Sequence, residues 1–395
     1  MKITIHRGTR QIGGCVTEIT AGNDRVFIDF GADLPGNNPA SVSPSPIDGL
    51  TIGDGSKSAL FFTHYHSDHT GRISDVLLKI PIYIGATAKV IHENCAKRMK
   101  SHDLAAIERM ETFCALDKIS IGGITVTPLM IDHSAFDAYM FLIEADGSLI
   151  LHTGDFRLYG VRGGKTLKML AKYASDIDWL ICEGTTISRT DAATMSEFEL
   201  QQKVEELMLE NKYVFVLCSS TNIDRLGVLY HAAQTRNRLF VCDTYQKLQL
   251  ETVRERHAKR SSFYDFNHVY SYASNLDELM ESHGFCMAIR QNELGREFLK
   301  RYRGRGKIIY SMWTGYLKGD AQNDRLVEFL APYKFEVLHT SGHASPEDLR
   351  TLYETLQPKH GLIPIHTDAP ELFSDIAGEK LTLLEDGEQF DVLSK

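Results

Sequence analysis

The sequence predicts an α/β protein in which a second α/β unit is inserted into a β-rich host. Three observations support this prediction. The first 190 residues or so contain short β-rich runs separated by tight turns. From about 190 to 340, hydrophobic strands alternate with helical stretches, which is typical of a parallel sheet. Beyond about 341, a helical stretch and one more strand follow.

The host is predicted from runs of β-branched and aromatic residues bounded by glycine, asparagine and aspartate. Asp146-Gly147 is a typical hairpin turn between the last two strands of the first part. The predicted strands are Ile3–His6, Val16–Thr20, Arg25–Asp29, Ala59–Thr63, Thr125–Leu129, Tyr139–Glu144 and Leu149–Thr153, with a helix at Thr87–Arg98 and, near the end, a helix at Pro346–Leu356 and a strand at Gly361–Pro364.

The insert begins with a capping-box pattern, Ser196 followed three residues later by Glu199, which predicts a helix to about Glu210. Five strands and a second helix are predicted after it: Tyr213–Cys218, helix Asp224–Thr235, Arg238–Asp243, Cys286–Arg290, Lys307–Ser311 and Glu336–His339. A stretch of about 150 residues is far too long for a loop. We therefore divide the chain into 1–190, an inserted domain 191–340, and a closing part 341–395.

Composition excludes several classes of protein. Apolar residues make up 43% of the 395 residues, which indicates a globular chain with a sizeable core. The net charge of −9 argues against a protein that coats nucleic acid non-specifically, although a local basic groove stays compatible with it. The seven cysteines are widely spaced and form no CxxC pair, which argues against a disulfide framework and a cysteine zinc site. With neither a signal-peptide pattern nor a membrane-length apolar run, we expect a cytoplasmic protein.

The segment His64-Tyr65-His66-Ser67-Asp68-His69 carries the strongest chemical signal. It follows an apolar run that ends at Thr63, so it is predicted to lie on a loop at the end of a strand. Three imidazoles and one carboxylate within six residues suit Zn²⁺, which takes nitrogen and oxygen ligands. A single histidine would more often be an ordinary core or surface residue, but four potential ligands together predict a metal site.

This HxHxDH pattern resembles the metallo-β-lactamase superfamily, and the resemblance implies further residues in a fixed order. His133 fits a later metal histidine, Asp155 fits a bridging carboxylate, and Asp29 fits an aspartate that orients the first motif. The resemblance implies an αββα sandwich with two metal ions, one held by His64, His66 and His133. The second would be held by Asp68, His69 and a later histidine, with Asp155 bridging the two. We expect two Zn²⁺, with Mn²⁺ as a possible substitute.

The insert narrows the resemblance to the β-CASP group of nucleases, which is ribonuclease J-like or cleavage-factor-like and spans nearly the whole chain. Glu183, His343 in Ser341-Gly342-His343-Ala344-Ser345, and His366 fit the acidic residue and the two histidines that this group adds. The resemblance implies that His366 completes the second metal site. It also implies that Asp68, Glu183 and His343 are catalytic, with His343 facing the scissile phosphate.

Two segments of the insert are candidate substrate contacts. Ser219, Ser220 and Asn222 lie between a strand and a helix, where hydroxyls and backbone N–H groups can hold a phosphate, and Arg225 follows them. An ordinary helix cap is the alternative. The basic run Lys300–Lys307 either tracks a nucleic-acid backbone or forms a solvated loop. Ser341 and Gly342 are further candidate substrate contacts. The segment Ser311–Tyr316 also resembles a segment of the β-CASP group, and the only role we expect for it is to line the cleft between the domains.

The sequence therefore predicts a two-metal ribonuclease whose partner is RNA rather than single-stranded DNA, with no membrane association and a possible homodimer. Two alternatives stay open: a hydrolase of a small ester or thioester, and a non-catalytic RNA-binding subunit. Bacterial ribonuclease J proteins usually carry a further C-terminal domain, whereas this chain ends soon after its closing strands. That departure puts in doubt the oligomer and the processive exonuclease behaviour of such proteins, and the sequence leaves the choice between endo- and exonuclease action open.

Overall fold

A computed structural model of the chain describes residues 1–34, 46–189 and 195–392. The chain forms two compact units. The first unit comprises Met1–Leu158, Arg162–Ala193 and Gly342–Lys395, and the second comprises Tyr159–Val161 and Thr194–Ser341. The predicted boundary at 190/191 falls outside the described residues. The assignment of the second unit as a β-CASP domain stays a prediction.

The elements follow in chain order. The strands are β1 Lys2–Arg7, β2 Val16–Ala21, β3 Asp24–Ile28, β4 Ser58–Phe61, β5 Ile82–Gly85, β6 Glu111–Phe113, β7 Ile119–Ile121, β8 Ile124–Ile131, β9 Ala138–Ala145, β10 Ser148–His152, β11 Trp179–Glu183, β12 Tyr213–Leu217, β13 Leu239–Cys242, β14 Val269–Ser271, β15 Phe285–Ile289, β16 Lys307–Tyr310, β17 Glu336–Val337, β18 Gly361–Ile365 and β19 Gln389–Asp391. The α-helices are α1 Ser67–Thr70, α2 Ala86–Met99, α3 Leu104–Glu108, α4 Gly163–Tyr173, α5 Glu197–Glu210, α6 Ile223–Thr235, α7 Thr244–His257, α8 Asp277–His283, α9 Glu293–Arg301, α10 Asp324–Leu330, α11 Pro346–Leu356 and α12 Ser374–Ala377.

The first unit contains two sheets. The seven-stranded sheet has the order β19-β1-β2-β3-β4-β5-β6, and the six-stranded sheet has the order β18-β11-β10-β9-β8-β7. The predicted hairpin joins β9 to β10, which pair antiparallel with Ala145 opposite Ser148. Asp146 and Gly147 have φ values of 50° and 77°, the left-handed conformations that a tight hairpin turn of this kind requires.

The two sheets enclose one core, to which Ile28 and Phe61 of the first sheet and Phe141 and Ile181 of the second contribute. A second core fills the space between the six-stranded sheet and helices α4, α11 and α12. Helix α2 packs against β5 and β6 of the other sheet. The alternation of buried residues along each strand therefore produces helix, sheet, sheet and helix layers. The predicted fold class is confirmed.

The second unit is built on a six-stranded parallel sheet with the order β14-β13-β15-β12-β16-β17. Its central strands are buried along their whole length, as expected when helices cover both faces. Ser196 and Glu199 form the predicted capping box at the start of α5. The ring of Phe285 meets those of Phe215 and Tyr302 edge to face in the core of this unit.

Several elements differ from their sequence-based predictions. Helices α4 and α7 and strand β5 were not predicted, although Asp243 and Gln246 form a capping box at the start of α7. The strand predicted at Glu336–His339 is shorter, because only Glu336 and Val337 pair with β16. Within the described part of the chain, no helix has both the length and the apolar character needed to cross a membrane.

Candidate metal centre

The predicted ligands follow strands that end at one edge of the first unit. In the six-stranded sheet, β10, β11 and β18 are parallel neighbours, and β8 runs the same way because β9 is antiparallel to both β8 and β10. Side chains that follow such strands converge at their carboxyl ends. The residues brought there are His133 after β8, Asp155 after β10, Glu183 at the end of β11 and His366 after β18, and the parallel pair β3 and β4 of the other sheet adds Asp29 and His64.

Backbone contacts fix the segment His64–His69 against the loop that follows β3. Phe30 donates its N–H to the carbonyl of His69 at 2.8 Å, and Ala32 donates to the carbonyl of Ser67 at 2.9 Å. A Cβ atom on Gly31 would lie 1.6 Å from the carbonyl oxygen of Asp68. Only glycine permits this approach, so the local sequence holds the short helix α1 in place.

The first ligand group consists of three histidines, and we call it the three-histidine group: His64, His66 and His133. The ring nitrogen Nδ1 of His133 donates to the carbonyl oxygen of Gly342 at 2.6 Å. Its Nε2 therefore carries a free lone pair, and it lies 3.2 Å from Nδ1 of His66. Nε2 of His64 lies 3.0 Å from the same atom. Three imidazole nitrogens thus converge on one point.

These distances suit a metal ion with nitrogen ligands. Two nitrogens bound to a tetrahedral zinc ion at about 2.0–2.1 Å lie about 3.3 Å apart. Burial, together with neighbouring imidazoles, lowers the pKa of His64 and His133, and burial lowers that of His66 to about 4. The three rings are therefore neutral at pH 7, which is the form that binds a metal.

The second ligand group contains two carboxylates, and we call it the carboxylate group: Asp68, His69, Asp155 and His366. Nε2 of His69 lies 3.1 Å from Oδ2 of Asp155, and Nε2 of His366 lies 3.4 Å from Oδ2 of Asp68. The outer nitrogens of both rings are anchored, His69 Nδ1 by Asp29 at 2.8 Å and His366 Nδ1 by the hydroxyl of Thr185 at 2.7 Å.

Two polar atoms of the carboxylate group are buried without a hydrogen bond within the described part of the chain: Oδ1 of Asp155 and Nε2 of His366. An unsatisfied buried carboxylate oxygen costs free energy unless a cation lies beside it. The two ligand groups are therefore compatible with divalent metal binding. Asp155 Oδ2 also lies 3.9 Å from Nε2 of His64, which puts this carboxylate next to both groups.

Asp29 and His366 adopt left-handed backbone conformations, with φ values of 60° and 52°. Such values are uncommon outside glycine, although aspartate and histidine tolerate them better than most residues. Local strain of this kind concentrates at functional sites, where the surrounding structure holds it. Here it turns both side chains toward the ligand groups.

A third group joins Glu183 and His343 to Asp155 and His366. Nδ1 of His343 lies 3.2 Å from Oε2 of Glu183 and 3.5 Å from Oδ2 of Asp155. The Glu183 carboxylate also accepts N–H bonds from Phe156 and Thr185, so its position is fixed. Burial opposes the charged form of His343, but Glu183 and Asp155 outweigh it and raise the pKa of the imidazole. His343 is therefore suited to hold a proton for transfer.

The carboxylates of the site remain ionised. Burial favours their neutral forms, but His69 and His366 lower the pKa of Asp68, and His366 and His69 lower that of Asp155. For His69, burial opposes the charged form, while Asp155, Asp29 and Asp68 raise the pKa. The carboxylate group therefore concentrates negative charge in a buried place, which attracts cations.

The predicted substrate contacts in the second unit differ in solvent exposure and in hydrogen-bond partners. Ser219 is exposed, whereas the buried Ser220 hydroxyl has no hydrogen-bond partner in the described part of the chain. Asn222 caps helix α6 by accepting the N–H of Arg225. Ser341 is partly buried.

Arg225 is fully buried, and all five guanidinium N–H groups have internal acceptors. Nε and one Nη bind the carboxylate of Glu197, and the remaining bonds go to Ser311 and the carbonyl of Thr340. This arrangement corresponds to a structural ion pair, and it leaves Arg225 no free donor for a phosphate. Direct substrate contact by this residue stays an untested prediction.

The basic run Lys300–Lys307 is largely neutralised by acidic side chains from elsewhere in the second unit. Arg301 pairs with Asp277, Arg305 with Glu281, and Lys307 with Glu336. Tyr302 is buried in the core. This pattern favours the solvated-loop alternative for the run.

Sequence reasoning missed an ion pair that flanks the ligands. Asp132 and Arg157 are fully buried and bonded at 2.7 Å. Asp132 directly precedes His133, and Arg157 comes two residues after Asp155. The ion pair therefore connects the two loops that carry these candidate ligands. Thr185, which anchors His366, was also missed. The only sequence signal for these residues was their position next to the motifs.

Two family models match the chain. The first, described as "Beta-lactamase superfamily domain", matches residues 24–218. The second, described as "Zn-dependent metallo-hydrolase RNA specificity domain", matches residues 333–373. Together they cover the segments that carry all the predicted ligands.

Curated relatives and one solved structure are similar to the chain along most of its length. "Ribonuclease J" of Helicobacter pylori strain 26695 is 24% identical over 99% of this chain and 61% of its own length. "Ribonuclease J" of Mycoplasma pneumoniae is 21% identical over 92% of this chain and 67% of its own length. The chain spans about 60% of the first of these relatives. A crystal structure of a protein of unknown function from Enterococcus faecalis V583 shares the fold, with a TM-score of 0.79, 23% identity and coverage of 98% of this chain and 99% of that one.

Proposed function

Because the chain belongs to the metallo-β-lactamase superfamily, as a ribonuclease J-like member of its β-CASP group, we propose that it hydrolyses RNA phosphodiester bonds with two bound divalent metal ions. The observation that carries the proposal is the position of Asp155. Its carboxylate adjoins both ligand groups and the imidazole of His343. This position supports the proposal, because one residue adjoins both candidate metal sites and the candidate proton donor.

His64, His66 and His133 would hold one ion, and Asp68, His69 and His366 would hold the other, while Asp155, which adjoins both groups, would contribute to both sites. We propose Zn²⁺ as the metal because nitrogen ligands predominate, and Mn²⁺ as an ion that the carboxylate group also accepts. Such a pair of ions, when bound, lowers the pKa of water and stabilises the charge of the phosphate during in-line displacement.

The chain's own residues would supply the remaining steps. His343, whose proton is favoured by Glu183 and Asp155, donates it to the departing sugar oxygen. Glu183 holds the ring of His343 in position, since its own oxygens are fixed by two backbone N–H groups. Asp29 holds His69 in the tautomer that presents Nε2 to the ligand group.

RNA is the proposed substrate because a metallo-hydrolase RNA specificity domain matches residues 333–373, which include His343 and His366. The similarity to proteins named ribonuclease J supports the same substrate class. We propose the cytoplasm as the compartment, since none of the seven cysteines, all of which lie in the described residues, forms a disulfide, and reducing conditions keep thiols in that state. The homodimer stays a prediction, which sedimentation of the purified chain would test.

The decisive experiment is digestion of end-labelled RNA by the full chain in defined metals, with 5′-monophosphate and 5′-triphosphate substrates in parallel. We expect zinc- or manganese-dependent cleavage that falls about 10²- to 10³-fold in His366→Ala. His102→Ala is the matched control, since His102 is an exposed histidine outside the ligand groups. A chain that carries two metal equivalents, hydrolyses a small ester or thioester and leaves RNA intact would overturn the proposal.

A further inference from the structure

An exposed pair of aromatic rings lies on the turn that follows β16 in the second unit. Trp313 is 41% exposed and Tyr316 is 39% exposed. Their ring centroids are 5.4 Å apart, and the ring planes meet at 81°. Large aromatic side chains are buried on average, so two neighbouring rings that are each about two fifths exposed need a reason. The proposed metal chemistry does not use them.

The backbone that carries these rings is held at both ends. The phenol of the buried Tyr310 donates to the carbonyl of Trp313 at 2.7 Å, and the N–H of Asn323 donates to the carbonyl of Tyr316 at 2.9 Å. Between them, the N–H of Tyr316 donates to the carbonyl of Trp313 at 3.2 Å. The turn Thr314–Leu317 is therefore fixed, and a ligand that binds the rings would order little additional chain.

Gly315 explains how the indole of Trp313 keeps its position. A Cβ atom on Gly315 would lie 2.4 Å from both Cζ2 and Cη2 of the indole. The φ angle of Gly315 is not in the left-handed region, so the backbone does not require glycine there. The requirement comes from the ring, which lies against the bare Cα of Gly315. One side of the indole is supported, and two fifths of the residue stays open to solvent.

The surroundings of the pair suit a nucleotide. β16 is the parallel neighbour of β12, with Leu217 opposite Tyr310, so the turn follows the same sheet edge as the hydroxyl-rich segment Ser219–Asn222. Ligands of parallel α/β sheets bind at this edge. Lys318 follows the turn, is exposed, and forms no ion pair within the described part of the chain. A base-stacking surface with a positive charge beside it is the usual arrangement for single-stranded nucleic acid.

The size of the patch also favours a nucleobase over a protein partner. An aromatic side chain offers at most about 250 Å², so the two exposed fractions amount to about 100 Å² each. A stable protein interface buries about 800 Å² on each partner. The exposed area of two rings is too small for a protein interface, but it is enough for one or two bases to stack on.

We propose that Trp313 and Tyr316 form a platform on which a base of single-stranded RNA stacks, with Gly315 setting the position of the indole. This inference rests on the proposed function for its choice of RNA. The platform is a binding device and takes no part in the chemical step. Stacking is tolerant of sequence, because every base has a π face, so we expect no strong base preference.

Tryptophan emission tests the contact directly. The chain has two tryptophans, and Trp179 is fully buried in the first unit, so a stacking base can quench only Trp313. The titration uses a single-stranded 12-mer oligouridylate and the full chain, with cleavage blocked by Asp155→Asn and, independently, by EDTA. We expect quenching that is absent with an abasic ribose-phosphate chain of equal length and absent in Trp313→Phe.

Affinity of fluorescently labelled RNA separates stacking from a structural role. Base stacking contributes about 1–3 kcal/mol, so Trp313→Ala weakens binding about 5- to 150-fold, while Trp313→Phe retains most of the affinity. Gly315→Ala, which displaces the indole, weakens binding without removing it. Leu209→Ala is the matched control, since Leu209 is 66% exposed on α5 of the same unit. The abasic chain should bind wild type and Trp313→Ala equally.

The outcomes distinguish the platform from the proposed activity. RNA that is cleaved by wild type and bound equally well by Trp313→Ala overturns the platform and leaves the ribonuclease proposal standing. RNA that quenches Trp313 but is never cleaved supports the platform and overturns the activity. A loss of affinity for the abasic chain in Trp313→Ala would show that the ring supports the fold, and it would also overturn the platform.

Discussion

The three-histidine group and the carboxylate group lie side by side in the first unit, yet the first is neutral and the second carries two negative charges. The former offers neutral imidazoles whose pKa values are lowered by burial. The latter offers two ionised carboxylates, Asp68 and Asp155, beside two histidines. Imidazole ligands favour zinc, whereas carboxylates also accept harder ions such as manganese. We therefore expect the three-histidine group to select its metal by ligand type and the carboxylate group to attract its metal by charge.

The largest effect is expected from Asp155→Asn, since Asp155 adjoins both groups. The amide keeps the shape but removes the negative charge and one acceptor oxygen, so both metals bind more weakly. We expect loss of RNA hydrolysis on the order of 10³-fold or more, with lower metal content by mass spectrometry. Asp176→Asn, which changes an exposed carboxylate in the same unit, serves as the control. Retained activity with two metals would mean that Asp155 does not bridge them.

Removal of one histidine from each group tests whether the sites are independent. His133→Ala should remove the ion of the three-histidine group, and His366→Ala that of the carboxylate group, with activity falling about 10²- to 10³-fold in each case. Zinc and manganese titrations followed by metal analysis measure the outcome. We expect His133→Ala to retain one ion and to accept manganese in it, whereas His366→Ala retains one zinc. If both variants lose all metal, the two groups form a single cooperative site, and the proposal of two independent sites is wrong.

Sequence-based predictions were strongest where the residues involved lie close together in the sequence. The candidate ligands in the segment His64–His69 lie within six residues after one strand, so a local pattern was sufficient to propose them. Asp155, His343 and His366 come from distant strands, and only the order of motifs in a family connected them. The hairpin at Asp146-Gly147 was predictable for the same local reason, because its turn needs two left-handed residues.

Long-range pairing could not be read from the sequence. Arg225 lies 28 residues from Glu197, and nothing near it shows that this carboxylate will bury and neutralise it. The basic run Lys300–Lys307 likewise gives no sign that Asp277, Glu281 and Glu336 lie beside it. A charged residue in a sequence shows its own charge but not its partner, so predictions of exposed basic surfaces are the least secure.

Acid can inactivate the protein in two ways: protons can compete with metal for the two ligand groups, or the first unit can unfold. The pH dependence of the free energy of unfolding tests the second. His152 is buried outside both groups, where Nδ1 accepts the N–H of Gly154 and Nε2 donates to the hydroxyl of Thr17. Burial lowers its pKa to about 4, below the unfolded value of 6.5. The unfolded state therefore binds the proton first, and stability present above pH 6.5 is lost as the pH falls from 6.5 to 4.

The loss amounts to about 3 kcal/mol in the free energy of unfolding, at about 1.4 kcal/mol for each pH unit. Denaturant unfolding at a series of pH values, followed by Trp179 emission in a Trp313→Phe background, measures it. His152→Gln should flatten this part of the profile, while His102→Gln should leave it unchanged. An equal slope in His152→Gln would assign the acid sensitivity to other groups, the ligand histidines among them.

The smallest effect is expected from Asp29→Asn, and it bears most directly on the difference between the groups. Oδ2 of Asp29 accepts from Nδ1 of His69, which belongs only to the carboxylate group. Loss of such a supporting carboxylate lowers metal affinity about 10- to 100-fold. We therefore expect the carboxylate group to bind its ion that much more weakly, with the three-histidine group nearly unchanged.

Competition with a chelator of known affinity measures the two constants of Asp29→Asn separately. The matched control is Asp137→Asn, because Asp137 is also buried, also left-handed at φ 63°, and bonds to backbone N–H groups of α2 instead of a ligand. Asp137→Asn should destabilise the fold and leave the ratio of the two constants intact. If Asp29→Asn weakened both sites equally, the support would reach the whole centre through Thr63, which contacts Asp29 and His64 alike. The two groups would then differ in charge but share one scaffold.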